Sequence, residues 1–147
     1  MIRDMRLPAD IQDKISLLMA KLQDVDSIDA VYLFGSVAKK DLKPLSDIDI
    51  AILLNEGLGK DKIENLKLSL TGLIADALST EEFDLVILND APIRFSYNIL
   101  KDGKLVLVKD ENHLIDFRER VIKYYLDFAY YLKEFDKAFL EGAGYNG

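Results

Sequence analysis

The sequence contains no cysteine among its 147 residues. This absence excludes disulfide bonds, thiolate metal sites and cysteine nucleophiles. The N-terminus also lacks the pattern of a secretory signal peptide, so we expect a protein of the reducing cytoplasm. No apolar run approaches the ~18 residues of a membrane-spanning helix, and we expect no membrane partner.

Positive charge is also in short supply. The chain has 19 Lys and Arg residues against 26 Asp and Glu residues, which gives a net charge of -7. A protein that binds along a polynucleotide needs positive charge to neutralise the phosphates. We therefore expect no long nucleic acid as a partner, whereas a nucleotide carried with a metal ion is compatible with this charge.

The composition that is present suits one folded domain. Hydrophobic residues make up 50% of the chain, enough for an ordinary core. We expect a single α/β domain over residues 1–147, with its core at about 8–108 and a long C-terminal helix at about 112–140. The apolar periodicity predicts helices at 8–24, 60–79 and 92–100, and strands at 28–34, 47–54, 83–88 and 104–108.

The predicted C-terminal helix is unusually aromatic. Eight of the 14 Phe and Tyr residues lie between Phe117 and Phe139. One broad apolar stripe of this helix comprises Phe117, Val121, Tyr124, Phe128, Tyr131, Leu132, Phe135 and Phe139. Such a stripe is typical either of the core of the same domain or of a surface that binds a partner. The sequence leaves both interpretations open.

The most informative segment connects the first two predicted strands. Gly35 ends the first strand and permits close approach of a ligand to the backbone. Ser36 follows at the start of a helical turn, where its hydroxyl and exposed N–H groups are typical of a phosphate cradle. Lys39 adds positive charge to this loop. The pattern predicts a nucleotide-binding site.

Acidic residues follow on the next strands. Asp47 and Asp49 are two residues apart on a strand, so both carboxylates project from the same face. Two like charges in such proximity call for a cation, and hard oxygen ligands suit Mg²⁺ or Mn²⁺. Asp84 repeats the pattern on the third strand. Three carboxylates on neighbouring strands are typical of two-metal phosphoryl and nucleotidyl transfer.

The spaced pattern of Gly35-Ser36, ten residues, then Asp47-x-Asp49 resembles the signature of the polymerase β-like nucleotidyltransferase superfamily. The short length resembles its minimal nucleotidyltransferases, in particular the MntA-type antitoxins of HEPN/MNT toxin–antitoxin pairs. The resemblance covers roughly residues 10–108. It implies the nucleotidyltransferase fold, a small mixed sheet flanked by helices, here followed by the long C-terminal helix.

The same resemblance implies roles for the residues of the motif. Gly35, Ser36 and Lys39 would bind the nucleotide triphosphate, and Ser46 also fits this group of nucleotide-binding residues. The catalytic and metal-binding residues would be three carboxylates: Asp47, Asp49 and Asp84.

The implied function is metal-dependent transfer of AMP from ATP to a tyrosine hydroxyl of a cognate HEPN ribonuclease toxin. The chain would then be an antitoxin in a hetero-oligomer with that toxin. Two alternatives stay open: transfer to a small molecule such as an aminoglycoside, and a non-catalytic antitoxin that neutralises by binding. The only histidine, His113, is expected to begin a helix without a chemical role, and no Arg lies five residues before it, as a HEPN ribonuclease motif requires.

Overall fold

The computed structural model describes residues 9–35 and 48–142 of the chain. The described part contains four helices and four strands, and the fourth helix is the long one that follows the last strand. They are α1 (Ala9–Gln23), β1 (Ile28–Phe34), β2 (Ile48–Leu54), α2 (Lys60–Leu78), β3 (Phe83–Ile87), α3 (Ile93–Asp102), β4 (Lys104–Val108) and α4 (Glu111–Gly142). The predicted α/β class and the long C-terminal helix are confirmed.

The strands form one mixed sheet in the order β3-β2-β1-β4. The central strand pair β1 and β2 is antiparallel, as is the pair β1 and β4. The strands β2 and β3 are parallel, because α2 carries the chain back to the starting end of the sheet between them. The starts of β2 and β3 therefore lie side by side, at the end where β1 finishes.

Each face of the sheet carries its own apolar core. Alternate residues of β1 and β2, such as Val31 and Ile50, pack against α1 and α2 on one face. The residues between them, such as Tyr32 and Leu53, face α3 and the first turns of α4 on the other. Within residues 9–35 and 48–142, no helix is long and apolar enough to cross a membrane.

The third strand ends one residue earlier than the sequence predicts. Its run stops at Ile87, and Leu88–Asp90 form a single 3₁₀ turn. The Asn89 side chain explains this turn, since its amide pairs with the backbone of Leu54 like a further strand residue. The carboxamide oxygen accepts from Leu54 N at 2.8 Å, and Nδ2 donates to Leu54 O at 2.9 Å.

Candidate active site

Two carboxylates meet at the end of the sheet where β2 and β3 begin. Asp49 and Asp84 are register partners on these parallel strands, so their side chains project from the same face. Neighbouring strands lie about 4.8 Å apart. Asp84 is exposed and Asp49 is partly buried. The structure thus brings together two of the three carboxylates predicted from the sequence, although they are 35 positions apart in the chain.

Gly35 lies directly against this pair. It follows β1 with a φ of +75°, a backbone conformation that L side chains rarely adopt. A Cβ atom at this position would overlap Oδ2 of Asp49. The glycine is therefore required both by its backbone angle and by the space that the carboxylate occupies.

Two aromatic side chains, Phe34 and Phe95, lie beside the acidic pair. Phe34, the last residue of β1, is the register partner of Asp49 and shares its face of the sheet. Phe95 of α3 packs edge-on against Phe34, with ring centroids 6.0 Å apart and an angle of 86° between the rings. Such an edge-to-face arrangement is the favoured one for aromatic pairs. Sequence reasoning did not single out these two rings.

Four of the predicted site residues lie outside the described part of the chain. They are Ser36, Lys39, Ser46 and Asp47. Among the residues that the structure describes, no three His, Asp or Glu side chains are grouped closely enough to hold a metal ion. The described donors are the oxygens of Asp49 and Asp84, a ligand type that fits a hard divalent cation such as Mg²⁺ or Mn²⁺. The assignment of ligands stays a prediction.

Tyr32 lies on the same face, further along β1 from the acidic pair. The residue is 2% exposed, and its hydroxyl lies beside the Arg118 side chain but makes no hydrogen bond of good geometry with a described residue. Burial raises the pKa of the Tyr32 phenol above its ordinary value, because the anion would lose its hydration, and the positive charge of Arg118 opposes part of this rise. Tyr32 is thus a neutral phenol at physiological pH.

The opposite end of the sheet holds a second carboxylate cluster. Asp29 of β1 is buried, and its Oδ2 lies 2.5 Å from Nδ1 of His113 in the first turn of α4. Its Oδ1 accepts a hydrogen bond of 2.6 Å from Asn55 Nδ2. On the outer side of the imidazole, Nε2 lies 3.9 Å from the exposed carboxylate of Glu56.

The sequence analysis placed His113 correctly at the start of a helix but missed its buried partner. The two residues are 84 positions apart, and no local pattern connects them. The one available signal is Asp29 itself, a charged residue inside an otherwise apolar strand.

Comparison with known proteins agrees with the observed geometry. A family model for polymerase beta nucleotidyltransferases matches residues 17–112, which include Gly35, Asp49 and Asp84. A search of curated protein sequences gives no match.

Solved structures show the same fold at low identity. One is a toxin–antitoxin with AMP-PNP, at 22% identity and a TM-score of 0.59, with 90% of this chain and 97% of that chain covered. A toxin–antitoxin MntA-HepT structure has 23% identity, a TM-score of 0.55 and coverage of 91% and 96%. A third contains tri-AMPylated Shewanella oneidensis HEPN toxin in complex with MNT antitoxin, at 22% identity, a TM-score of 0.58 and coverage of 91% and 98%.

The family match spans well over half of the chain and includes the acidic pair with its adjoining glycine. The chain therefore belongs to the polymerase beta nucleotidyltransferase family and is a nucleotidyltransferase.

Proposed function

We propose that this nucleotidyltransferase transfers AMP from ATP to a tyrosine hydroxyl of a HEPN toxin and acts as the antitoxin of that toxin. The observation that carries the proposal is the register of Asp49 with Asp84, beside a glycine that leaves room for the Asp49 carboxylate. Support for the substrate and the partner comes from solved relatives, one with AMP-PNP and one with a tri-AMPylated HEPN toxin bound to its antitoxin.

A divalent cation belongs to the proposal because of charge. A nucleoside triphosphate and two neighbouring carboxylates repel each other, so the substrate needs a cation to bind there. We propose that Asp49 and Asp84, together with Asp47, hold Mg²⁺ or Mn²⁺. When bound, the metal supplies charge neutralisation at the α-phosphate and at the leaving pyrophosphate.

The residues of the chain would carry the rest of the reaction. The acceptor oxygen attacks the α-phosphorus of ATP, the bond from that phosphorus to the bridging oxygen breaks, and pyrophosphate leaves. Asp84 is exposed and would take or orient the proton of the acceptor hydroxyl. Gly35, Ser36, Lys39 and Ser46 would hold the triphosphate. The use of ATP and of a ribonuclease as acceptor fits a cytoplasmic protein.

The experiment uses a protein encoded beside this chain that is selected because it carries the arginine-to-histidine motif of a HEPN ribonuclease. Its intact mass is measured after incubation with the chain, ATP and Mg²⁺. We expect a gain of whole AMP units, abolished by a chelator. Asp49→Asn removes one charge of the acidic pair, and we expect the transfer rate to fall by about 10³-fold. Asp76→Asn is the matched control, because Asp76 is an exposed residue of α2, on the other side of the sheet.

Three results would contradict the proposal. Unchanged transfer by Asp49→Asn would mean that the acidic pair is not the catalytic site. Modification of an aminoglycoside, with none of the HEPN protein, would identify a small-molecule acceptor. Neutralisation of the toxin without any gain in mass, by the wild type and by Asp49→Asn alike, would identify an antitoxin that acts by binding.

A further inference from the structure

The helix α4 is only half covered by the domain. It has 32 residues, which corresponds to a length of about 48 Å. All of its buried residues lie in its first three turns and the last of them is Val121. Beyond that point, no described residue buries its large apolar side chains. These side chains, which we call the distal α4 surface, are Tyr124, Leu126, Phe128, Tyr130, Tyr131, Leu132, Phe135, Phe139 and Leu140.

The distal α4 surface continues the stripe that packs on the sheet. Leu114, Val121, Phe128 and Phe135 follow at intervals of seven residues, so they lie on one side of the helix. Leu114 and Val121 are buried, at 3% and 2% exposure, whereas Phe128 and Phe135 are 48% and 67% exposed. The apolar side of the helix thus extends past the domain that covers its first half.

The opposite side of the distal half carries a few exposed apolar side chains among charged ones. Leu126 and Tyr130 lie about 160° to 200° around the helix from Phe128, at 100° per residue, and both are more than half exposed. Lys133 and Lys137 lie on the same side. The stripe through Phe128 and Phe135 is therefore the larger apolar surface of the distal half.

The helix α3 connects this surface to the acidic pair. The Arg94 guanidinium lies 5.8 Å from the centroid of the Phe128 ring, and Tyr97 stacks on Tyr125 at 3.8 Å. The residue next to Arg94 is Phe95, which packs on Phe34 beside Asp49. A protein bound to the distal half of α4 and to α3 thus lies next to the carboxylates.

A second copy of the chain is a poor occupant. Each copy carries a net charge of -7, so two copies repel each other. The positions that would interlock in a helix pair are Tyr124, Phe128, Tyr131 and Phe135, whereas paired helices use Leu, Ile and Val there. Exposed Tyr and Phe are enriched at protein–protein interfaces in general.

We propose that the distal α4 surface, together with Phe95, is the docking surface for the protein that accepts AMP. This inference rests on the proposed function. The acceptor packs an apolar surface against the exposed stripe of the distal half of α4 and presents its hydroxyl to Asp49 and Asp84. The docking surface on α4 and the catalytic site at the acidic pair are then two separate regions of the same protein surface.

The test uses the full chain with Phe135→Asp and Phe139→Asp together. Both rings are about two-thirds exposed, so we expect the thermal unfolding of the chain to be unchanged. We expect the affinity for the HEPN protein encoded beside the chain, measured by calorimetry, to fall at least 30-fold. The KM for that protein rises accordingly, while kcat at saturation and the affinity for ATP with Mg²⁺ stay within about twofold.

Leu68→Asp is the matched control, because Leu68 is 75% exposed but lies on α2, which packs on the other face of the sheet. This control should bind and react like the wild type. Wild-type affinity in the double variant would overturn the proposal, as would a dimer of the isolated chain that the double variant abolishes.

The same measurements distinguish failure of the docking surface from failure of the proposed AMP transfer. If the double variant loses binding but the wild type transfers no AMP to the bound protein, the docking surface stands and the proposed transfer fails. If the wild type transfers AMP and the double variant does so with an unchanged KM, the transfer stands and the docking surface fails.

Discussion

The two ends of the sheet treat carboxylates in opposite ways. At one end, Asp29 is buried, and its two oxygens face donor groups of His113 and Asn55. At the other end, Asp49 and Asp84 bring two carboxylates into register on neighbouring strands. The first arrangement gives a buried carboxylate hydrogen-bond partners and connects β1 to α4. The second concentrates negative charge at a partly exposed edge, which favours the binding of a cation there.

The two ends of the sheet should differ most at their glycines, Gly35 and Gly57. Gly35→Ala is expected to lower AMP transfer by at least about 10²-fold, because the new methyl group would overlap the Asp49 carboxylate and displace it. Gly57→Ala is the matched control. Gly57 has a φ of +80° but nothing within 4 Å of the added Cβ, so it carries the same backbone strain without the overlap.

Transfer rates and unfolding curves of both glycine variants check this expectation. Gly57→Ala should lose about 1 kcal/mol of unfolding free energy, as an alanine in the left-handed region does, and Gly35→Ala should lose at least as much because the overlap with Asp49 adds to that strain. Equal activity of the two variants would show that the space beside Asp49 does not matter for transfer.

At the Asp29 end of the sheet, we expect mutations to change the stability of the fold. Asp29→Ala would leave His113 Nδ1 and Asn55 Nδ2 buried or half-buried without their acceptor, and we expect a loss of about 3 kcal/mol in the free energy of unfolding. Asp84→Ala is expected to change that free energy by less than about 0.5 kcal/mol, since Asp84 is exposed. Denaturant titration of both variants measures the contrast.

A double-mutant cycle sharpens this second prediction. If the pair acts as a unit, Asp29→Ala and His113→Ala combined should cost clearly less than the sum of the two single changes. Additive losses would mean that the two side chains contribute independently, and the contrast between the ends would lose its physical basis.

The smallest effect is expected midway along β1, at Tyr32. Tyr32→Phe removes a buried hydroxyl that lies beside Arg118 but makes no hydrogen bond of good geometry with a described residue, so we expect the free energy of unfolding at pH 7 to change by no more than about 1 kcal/mol. Because burial raises the pKa of the folded phenol, the unfolded chain releases this proton first as pH increases.

Stability of the wild type should therefore fall as the pH rises above about 10, the ordinary value for tyrosine, and continue to fall up to the pKa of the folded phenol. In Tyr32→Phe this fall should be smaller. Thermal unfolding of both proteins between pH 8 and pH 11 checks the difference. An identical pH dependence would show that Tyr32 does not contribute to the alkaline loss of stability.

The sequence was sufficient for most of the fold because its signals are local. The strands Ile28–Phe34 and Lys104–Val108 are apolar runs with polar or glycine residues at their ends, and both were predicted with the observed bounds. The pairing of Asp49 with Asp84 was predictable in outline, since both are acidic residues on predicted strands, and the face of Asp84 also carries Val86 and Leu88.

The remaining features depend on contacts distant in sequence. Nothing near Asp29 or His113 indicates that the two will meet, and the overlap between Gly35 and Asp49 follows only from the observed strand register. Apolar periodicity showed which side of α4 is apolar, but it cannot tell where the sheet stops covering that side.

Because the domain covers only the first half of α4, the two halves of the helix differ in how readily their backbone hydrogen bonds open. Its first turns are held by side chains in the core, so their amide hydrogens exchange only when the domain opens. Beyond Val121 the backbone has mainly its own hydrogen bonds, and helix ends without tertiary packing fray. We therefore expect the amide hydrogens of the last turns to exchange faster than those of the first, and a protein bound to the distal half to slow that exchange.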